Sequence, residues 1–194
     1  MNRNGKALVI ILIILGVVIL LGAVTLFWGI GIYNGIIRSE QEVMNSWAEV
    51  ENHLKRRADL IPNYVNTVKG FAAQERDVLI GVTEARSKVS GAGNMEERMD
   101  AENQLTGALS RLMVVVEKYP ELKSNENFIR LQDELAGTEN RIAVARMRYN
   151  ERVKMFNQFI KIFPNNIIAG IFGVEDAKYF EIPEGDAELP SVEF

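Results

Sequence analysis

The chain has 194 residues, no cysteine, one histidine and a formal net charge of -4. The missing cysteine excludes disulfides, thiolate catalysis and Cys-based metal sites, and a lone histidine excludes His-Glu-x-x-His zinc sites and the paired Glu-x-x-His ligands of carboxylate-bridged bundles. Arg3, Lys6 and Arg38 are the only charges in residues 1–38, so the remainder is more acidic than the whole and poorly suited to nucleic acid, which is bound through clustered Lys and Arg.

A short flank, residues 1–6, precedes an uncharged apolar run from Ala7 to Ile32. As a helix of roughly 26 residues it is about 39 Å long, against about 30 Å for the hydrocarbon core of a bilayer. The run is longer than a cleaved signal core, and Trp28 and Tyr33 at its end suit an interfacial aromatic belt better than a cleavage site. Residues 7–32 therefore read as a transmembrane anchor in contact with the lipid bilayer. Arg3 and Lys6 lie on one side, and Arg38 is followed by Glu40 and Glu42 on the other. Positive-inside counting places the N-terminus in the cytoplasm and the body outside it.

Residues 33–163 carry four helical patterns. Ile36, Val43, Trp47, Val50, Leu54, Ala58 and Ile61 recur at helical spacing, and no Gly/Pro-rich linker separates them from the anchor. The anchor is expected to run directly into the first helix of the domain, with Gly35 as its weak point and Pro62 as a kink or turn near Ile61. Val65, Val68, Ala72, Leu79, Val82, Ala85 and Val89 mark a second helix, closed by Ser90-Gly91-Ala92-Gly93-Asn94. The third runs from about Met95 to Tyr119. Tyr119–Asn125 is expected to be a turn, with a cap at Ser124 or Asn125.

The fourth pattern repeats every seven residues: Phe128, Leu135, Ile142, Tyr149, Phe156 and Phe163. Leu131, Ala145 and Phe159 accompany it, interrupted by Thr138 and Arg152, and Pro164 closes it. This describes a long helix packed in a coiled-coil-like manner, its stripe a core within one chain and only secondarily a homo-oligomer seam. The fold class is thus all-α: a transmembrane helix continuing into an antiparallel bundle of long helices, then an irregular tail. Residues 164–194 form that tail, a short apolar segment followed by an acidic terminus.

Convergent chemistry is sparse. His53 reads as a surface or interhelical polar residue, and no phosphate-cradling glycine motif is present. Glu49, Glu51, Glu75, Glu84, Asp133, Glu134 and Glu139 read as a solvated face with intrahelical pairs. No catalytic, metal or cofactor residue is assigned. Candidate partner-binding residues are Lys55, Arg56 and Arg57, read as a solvated corner whose charges pair with acids on a neighbouring helix, with docking of an acidic partner or lipid headgroups as the alternative, and Phe163, Ile167 and Ile168 where the last helix ends. The latter are expected in a loop folded over the bundle end, with docking or dipping into the membrane interface as the alternatives. Val192 and Phe194 complete the set: they are expected to pack back on the bundle, with capture by a strand-adding domain as the alternative, because a C-terminal Val192-Glu193-Phe194 has the apolar-x-apolar form such domains bind.

Several segments together resemble the LemA family: Tyr33-Asn34, Trp47-Ala48-Glu49-Val50, Leu54-Lys55-Arg56-Arg57, Asp59-Leu60-Ile61-Pro62-Asn63 and Thr67-Val68-Lys69-Gly70. So do Thr83-Glu84-Ala85-Arg86, Arg148-Tyr149-Asn150, Phe163-Pro164-Asn165-Asn166-Ile167-Ile168-Ala169 and Tyr179-Phe180. The resemblance implies a bacterial protein with one N-terminal anchor, long antiparallel helices and no established catalytic activity. It carries over no functional residues. The expected function is a non-enzymatic interaction or scaffold protein of the bacterial envelope, in the inner membrane, with an envelope or membrane protein as partner. The alternative is an accessory subunit of a membrane protease or quality-control system, and the third reading is an enzyme of unknown activity.

Overall fold

The computed structural model describes residues 3–181, with side chains from Ile11 onward. All of its regular structure is helical: α1 Arg3–Phe71, α2 Arg76–Gly91, α3 Met95–Glu117, α4 Pro120–Lys123, α5 Glu126–Lys161 and α6 Asn165–Ile171. The chain divides into two compact units. Among the described residues one comprises 3–44 with Arg152–Lys178, and the other comprises Asn45–Glu151 with 179–181.

In the first unit the expected anchor is a lipid-ready surface. Every large apolar side chain from Ile11 to Leu21 is exposed, with mean hydropathy of 2.9 in its most apolar stretch. The chain is therefore a single-pass membrane protein by length, composition and exposure. Beyond the anchor, α1 and α5 run antiparallel: Phe159 lies against Gly35, and Arg152 pairs with Glu42 at 3.0 Å. Gly35 is not a weak point. A Cβ there would sit 3.2 Å from the Phe159 ring, so the glycine permits the approach. After α6, the Asn157 side-chain amide grips the main chain of Ala177, donating to its carbonyl at 2.9 Å and accepting from its N–H at 2.8 Å.

In the second unit the core is built from Ile61, Tyr64 and Val68 of α1, Val82 and Val89 of α2, Leu105, Leu112 and Val116 of α3, Leu122 of α4 and Phe128 of α5. Burying each aliphatic side chain contributes about 1.5–3 kcal/mol. The α1 stripe from Trp47 to Ile61 is buried as its spacing predicts. Five of the six heptad residues, Phe128 to Phe156, are buried too, but Phe163 is 78% exposed, because α5 stops at Lys161 before the sixth repeat. Thr138 is buried and returns its hydroxyl to the Glu134 carbonyl. Asn94 caps α3 by accepting from the Glu97 N–H, while Glu97 accepts from the Gly93 N–H, a variant of the capping box. Of the two expected caps for α5 it is Asn125 that accepts, from the Phe128 N–H at 3.1 Å; the turn before it contains the single-turn α4.

Pro62 neither ends nor turns the chain. α1 continues through it to Phe71, so Val65 and Val68 belong to the first helix, and the break falls at residues 72–75. Proline lacks the N–H that would bond to the carbonyl four residues earlier, which is that of Ala58. That carbonyl accepts instead from the Arg86 guanidinium of α2 at 2.8 Å. The tertiary contact supplies the donor that the local sequence withholds. Arg86→Met should cost about 1–3 kcal/mol, the penalty for a stranded carbonyl. In a Pro62→Ala background the alanine N–H restores the helical donor, and the same substitution should cost measurably less. Chemical unfolding of the four variants checks this coupling; equal costs in both backgrounds would remove the compensation.

Candidate functional site

The three bases of the Lys55-Arg56-Arg57 run meet three different fates. Successive helical residues point about 100° apart, so adjacent side chains cannot share a face. Lys55 is exposed. Arg56 is half-exposed and pairs with Glu134 of α5 at 2.7 Å. Arg57 points inward and is 1% exposed, so it is not part of a solvated corner. Its guanidinium is ion-paired with Glu102 of α3, itself fully buried, and with Glu139 of α5 at 2.5 Å. It also donates to the Thr106 hydroxyl at 3.2 Å.

The electrostatics follow from this enclosure. Burial alone would lower the Arg57 pKa, but the two carboxylates hold it above its ordinary value, so the charge persists. Burial pushes the Glu102 carboxyl up against the pull of Arg57. Arg146 completes the cluster, its pKa lowered by burial and by the Arg57 charge. Arg57 Nε, Glu102 Oε1 and Arg146 Nε are buried without a hydrogen-bond partner.

Arg146 links the cluster to an aromatic clamp. Its guanidinium lies 3.8 Å from the ring centre of Phe180, which is buried against Trp47 at 6.0 Å. Trp47 in turn meets the edge of Tyr149 at 5.5 Å. Asn150 fixes Phe180 through its main chain, accepting from its N–H at 2.8 Å and donating to its carbonyl at 3.0 Å. Sequence reasoning missed Glu102 and Arg146. The available signal was the spacing of Glu102 among the buried Met99, Leu105 and Leu109 on α3, which puts it on the apolar face.

Four of the scattered carboxylates are interhelical partners rather than intrahelical ones: Glu49 pairs with Arg148 at 3.0 Å and Glu51 with Arg98 at 3.2 Å, as Glu134 does with Arg56 and Glu139 with Arg57. His53 is half-buried on α1, with no hydrogen bond or ion pair to a described residue. Among the described residues no three His, Asp or Glu side chains are grouped to hold a metal ion. A shallow depression of about 370 Å³ beside the α2–α3 turn is lined by Lys88, Glu97, Asp100 and Gln104 and contains no nucleophile with an adjacent base. In the first unit, Phe163 is exposed in the turn between α5 and α6, while Ile167, exposed, and Ile168, half-buried, lie within α6 rather than in a loop. Val192 and Phe194 fall outside the described residues.

The model of the LemA family matches residues 46–194. Magnetosome protein MamQ 2 of Paramagnetospirillum magneticum is 27% identical over 184 residues, covering 81% of this chain and 68% of its own length. Magnetosome protein MamQ of Magnetospirillum gryphiswaldense is 25% identical over the same length and shares. Protein LemA of Metamycoplasma hominis is 23% identical over 156 residues, covering 80% of this chain and 71% of its own.

Because the folded Glu102 pKa is raised, the folded state holds that proton more tightly than the unfolded one. Its contribution to stability is present below the ordinary carboxylate pKa and is lost as pH rises through the raised value. Glu102→Gln should therefore be at least as stable as the native protein at neutral pH, with the difference closing as pH falls toward the ordinary carboxylate range. Arg57→Met, which leaves two carboxylates facing each other, should cost about 3–5 kcal/mol. Urea unfolding across pH measures both; a Glu102→Gln penalty that grows with pH would contradict the assignment.

Proposed function

The chain belongs to the LemA family, and from that premise we propose that it is a non-enzymatic, membrane-anchored scaffold of the bacterial envelope that presents a helical bundle to a protein partner. The observation that carries this reading is the fate of its densest polar cluster. Arg57 and Glu102 are sealed at 1% and 0% exposure and neutralise each other inside the bundle. A catalytic group has to reach a substrate, and these groups hold helices together. The polar residues left at the surface are single charges and interhelical pairs such as Arg148–Glu49 and Arg56–Glu134. Such a surface suits recognition by shape and charge. Lys55, exposed beside the paired Arg56, is the cationic contact we assign to it.

The bilayer is the second partner, through residues 7–32. The charge count at the two ends of the anchor supports a cytoplasmic N-terminus and an extracytoplasmic body in the inner membrane.

Photo-crosslinking in intact membranes from a probe at Lys55, followed by mass spectrometry, should yield one envelope or membrane protein. Lys55→Glu should reduce its recovery several-fold without loss of expression. Removing residues 192–194 tests the terminal Val192 and Phe194 in the same assay, and unchanged recovery eliminates them as contacts. Protease added to spheroplasts should digest the body while sparing an N-terminal tag; the reverse pattern places the body in the cytoplasm.

A further inference from the structure

α6 is built inside out. A short helix on a water-soluble surface turns its large apolar side chains inward and its small or polar ones outward. Here Asn165 and Ala169, four residues apart, are the buried positions, and Asn165 spends its amide on the Phe159 carbonyl at 2.9 Å. Ile167 and Ile171, also four apart, point outward at 51% and 70% exposure. Ile162, Phe163 and Phe172 extend the same exposed set. Residues 162–174 contain no charged side chain; Lys161 before them pairs with Asp176, and Glu175 directly after them is exposed. The charges thus stand at the two ends of the segment and outside it.

Its position on α1 says what covers this face. Ile168 lies 3.7 Å from where a Cβ on Gly29 would be, and the Phe172 ring is 4.4 Å from that of Tyr33. Gly29 belongs to the last turn of the anchor and Tyr33 follows it directly. The anchor helix, at about 39 Å, exceeds the hydrocarbon core by about 9 Å, which puts its final turns at the level of the headgroups. From these contacts we infer that Phe163–Phe172 is a second, non-spanning membrane contact: a wedge that lies in the bilayer interface beside the anchor, with Phe163, Ile167, Ile171 and Phe172 among the upper acyl chains. The apolar surface of the anchor continues without a charged residue into that of α6, and a bilayer is the partner able to cover both. Aromatic and branched aliphatic side chains with uncharged Asn neighbours suit that depth. The inference rests on reading α1 as membrane-spanning.

The native chain has no cysteine, so single Ile167→Cys, Ile171→Cys, Leu20→Cys and Val144→Cys variants of the full-length protein can each carry one environment-sensitive fluorophore. All four positions are exposed, so labelling leaves the packing intact. In phosphatidylcholine–phosphatidylglycerol vesicles, lipids bearing a quencher near the headgroup should remove most of the emission from positions 167 and 171. They should leave position 144 unchanged, and a quencher at the acyl-chain end should act on position 20. Quenching at 20 without quenching at 167 and 171 overturns the wedge while keeping the anchor. Loss of quenching at 20 overturns the anchor itself. A blue-shifted emission at 167 and 171 that ignores the lipid quencher and scales with protein density assigns the face to a second copy, and overturns the wedge.

Discussion

The second unit depends on one buried charge. Arg57 cannot shed its proton, and an unpaired guanidinium in the interior costs several kcal/mol. Three helices must therefore meet at one level, because Glu102 comes from α3 and Glu139 from α5. A slip of either helix by one turn, about 5.4 Å, would strand the charge. Register is thereby specified by a point interaction rather than by the apolar stripe alone. The interhelical pairs of Glu49 with Arg148 and Glu51 with Arg98 repeat the same alignment at the surface, where each contributes much less.

Helix α1 illustrates how a tertiary contact can overrule a local signal. A proline in a helix interior normally costs about 3 kcal/mol. Part of that cost is the carbonyl it leaves unbonded, and Arg86 of α2 removes that part by donating to Ala58. The contact also ties α2 to α1 at a defined level. A local defect has become an interhelical link.

The helices, their inward faces and the anchor were legible because burial imposes a period that residue identity displays. Val43, Trp47, Val50, Leu54 and Ile61 could be read as one face without any structure, and they are all buried. What could not be read depends on residues distant in sequence. Pro62 signals a break until Arg86 is placed beside it. Arg57 in a basic run signals solvent until Glu102 and Glu139 are placed around it. Phe163 satisfies the seven-residue repeat, but the repeat carries no record of where the helix stops. Gly35 looks like flexibility because the ring that needs its missing side chain, Phe159, lies on another helix. The site is less legible than the fold for the same reason. Its charges are ordinary in composition and become distinctive only by enclosure.

Asn150 and Asn157 stand seven residues apart on α5, and each presents a side-chain amide to the main chain of a residue after α6: Phe180 in one unit and Ala177 in the other. An amide that accepts from an N–H and donates to a carbonyl imitates a neighbouring strand, although no sheet is present among the described residues. Such a grip reads backbone and ignores side chains. Proline at 177 or 180 would forfeit the N–H that Asn157 or Asn150 accepts from. The course of this stretch is thus set at the main chain, by two asparagines one heptad apart.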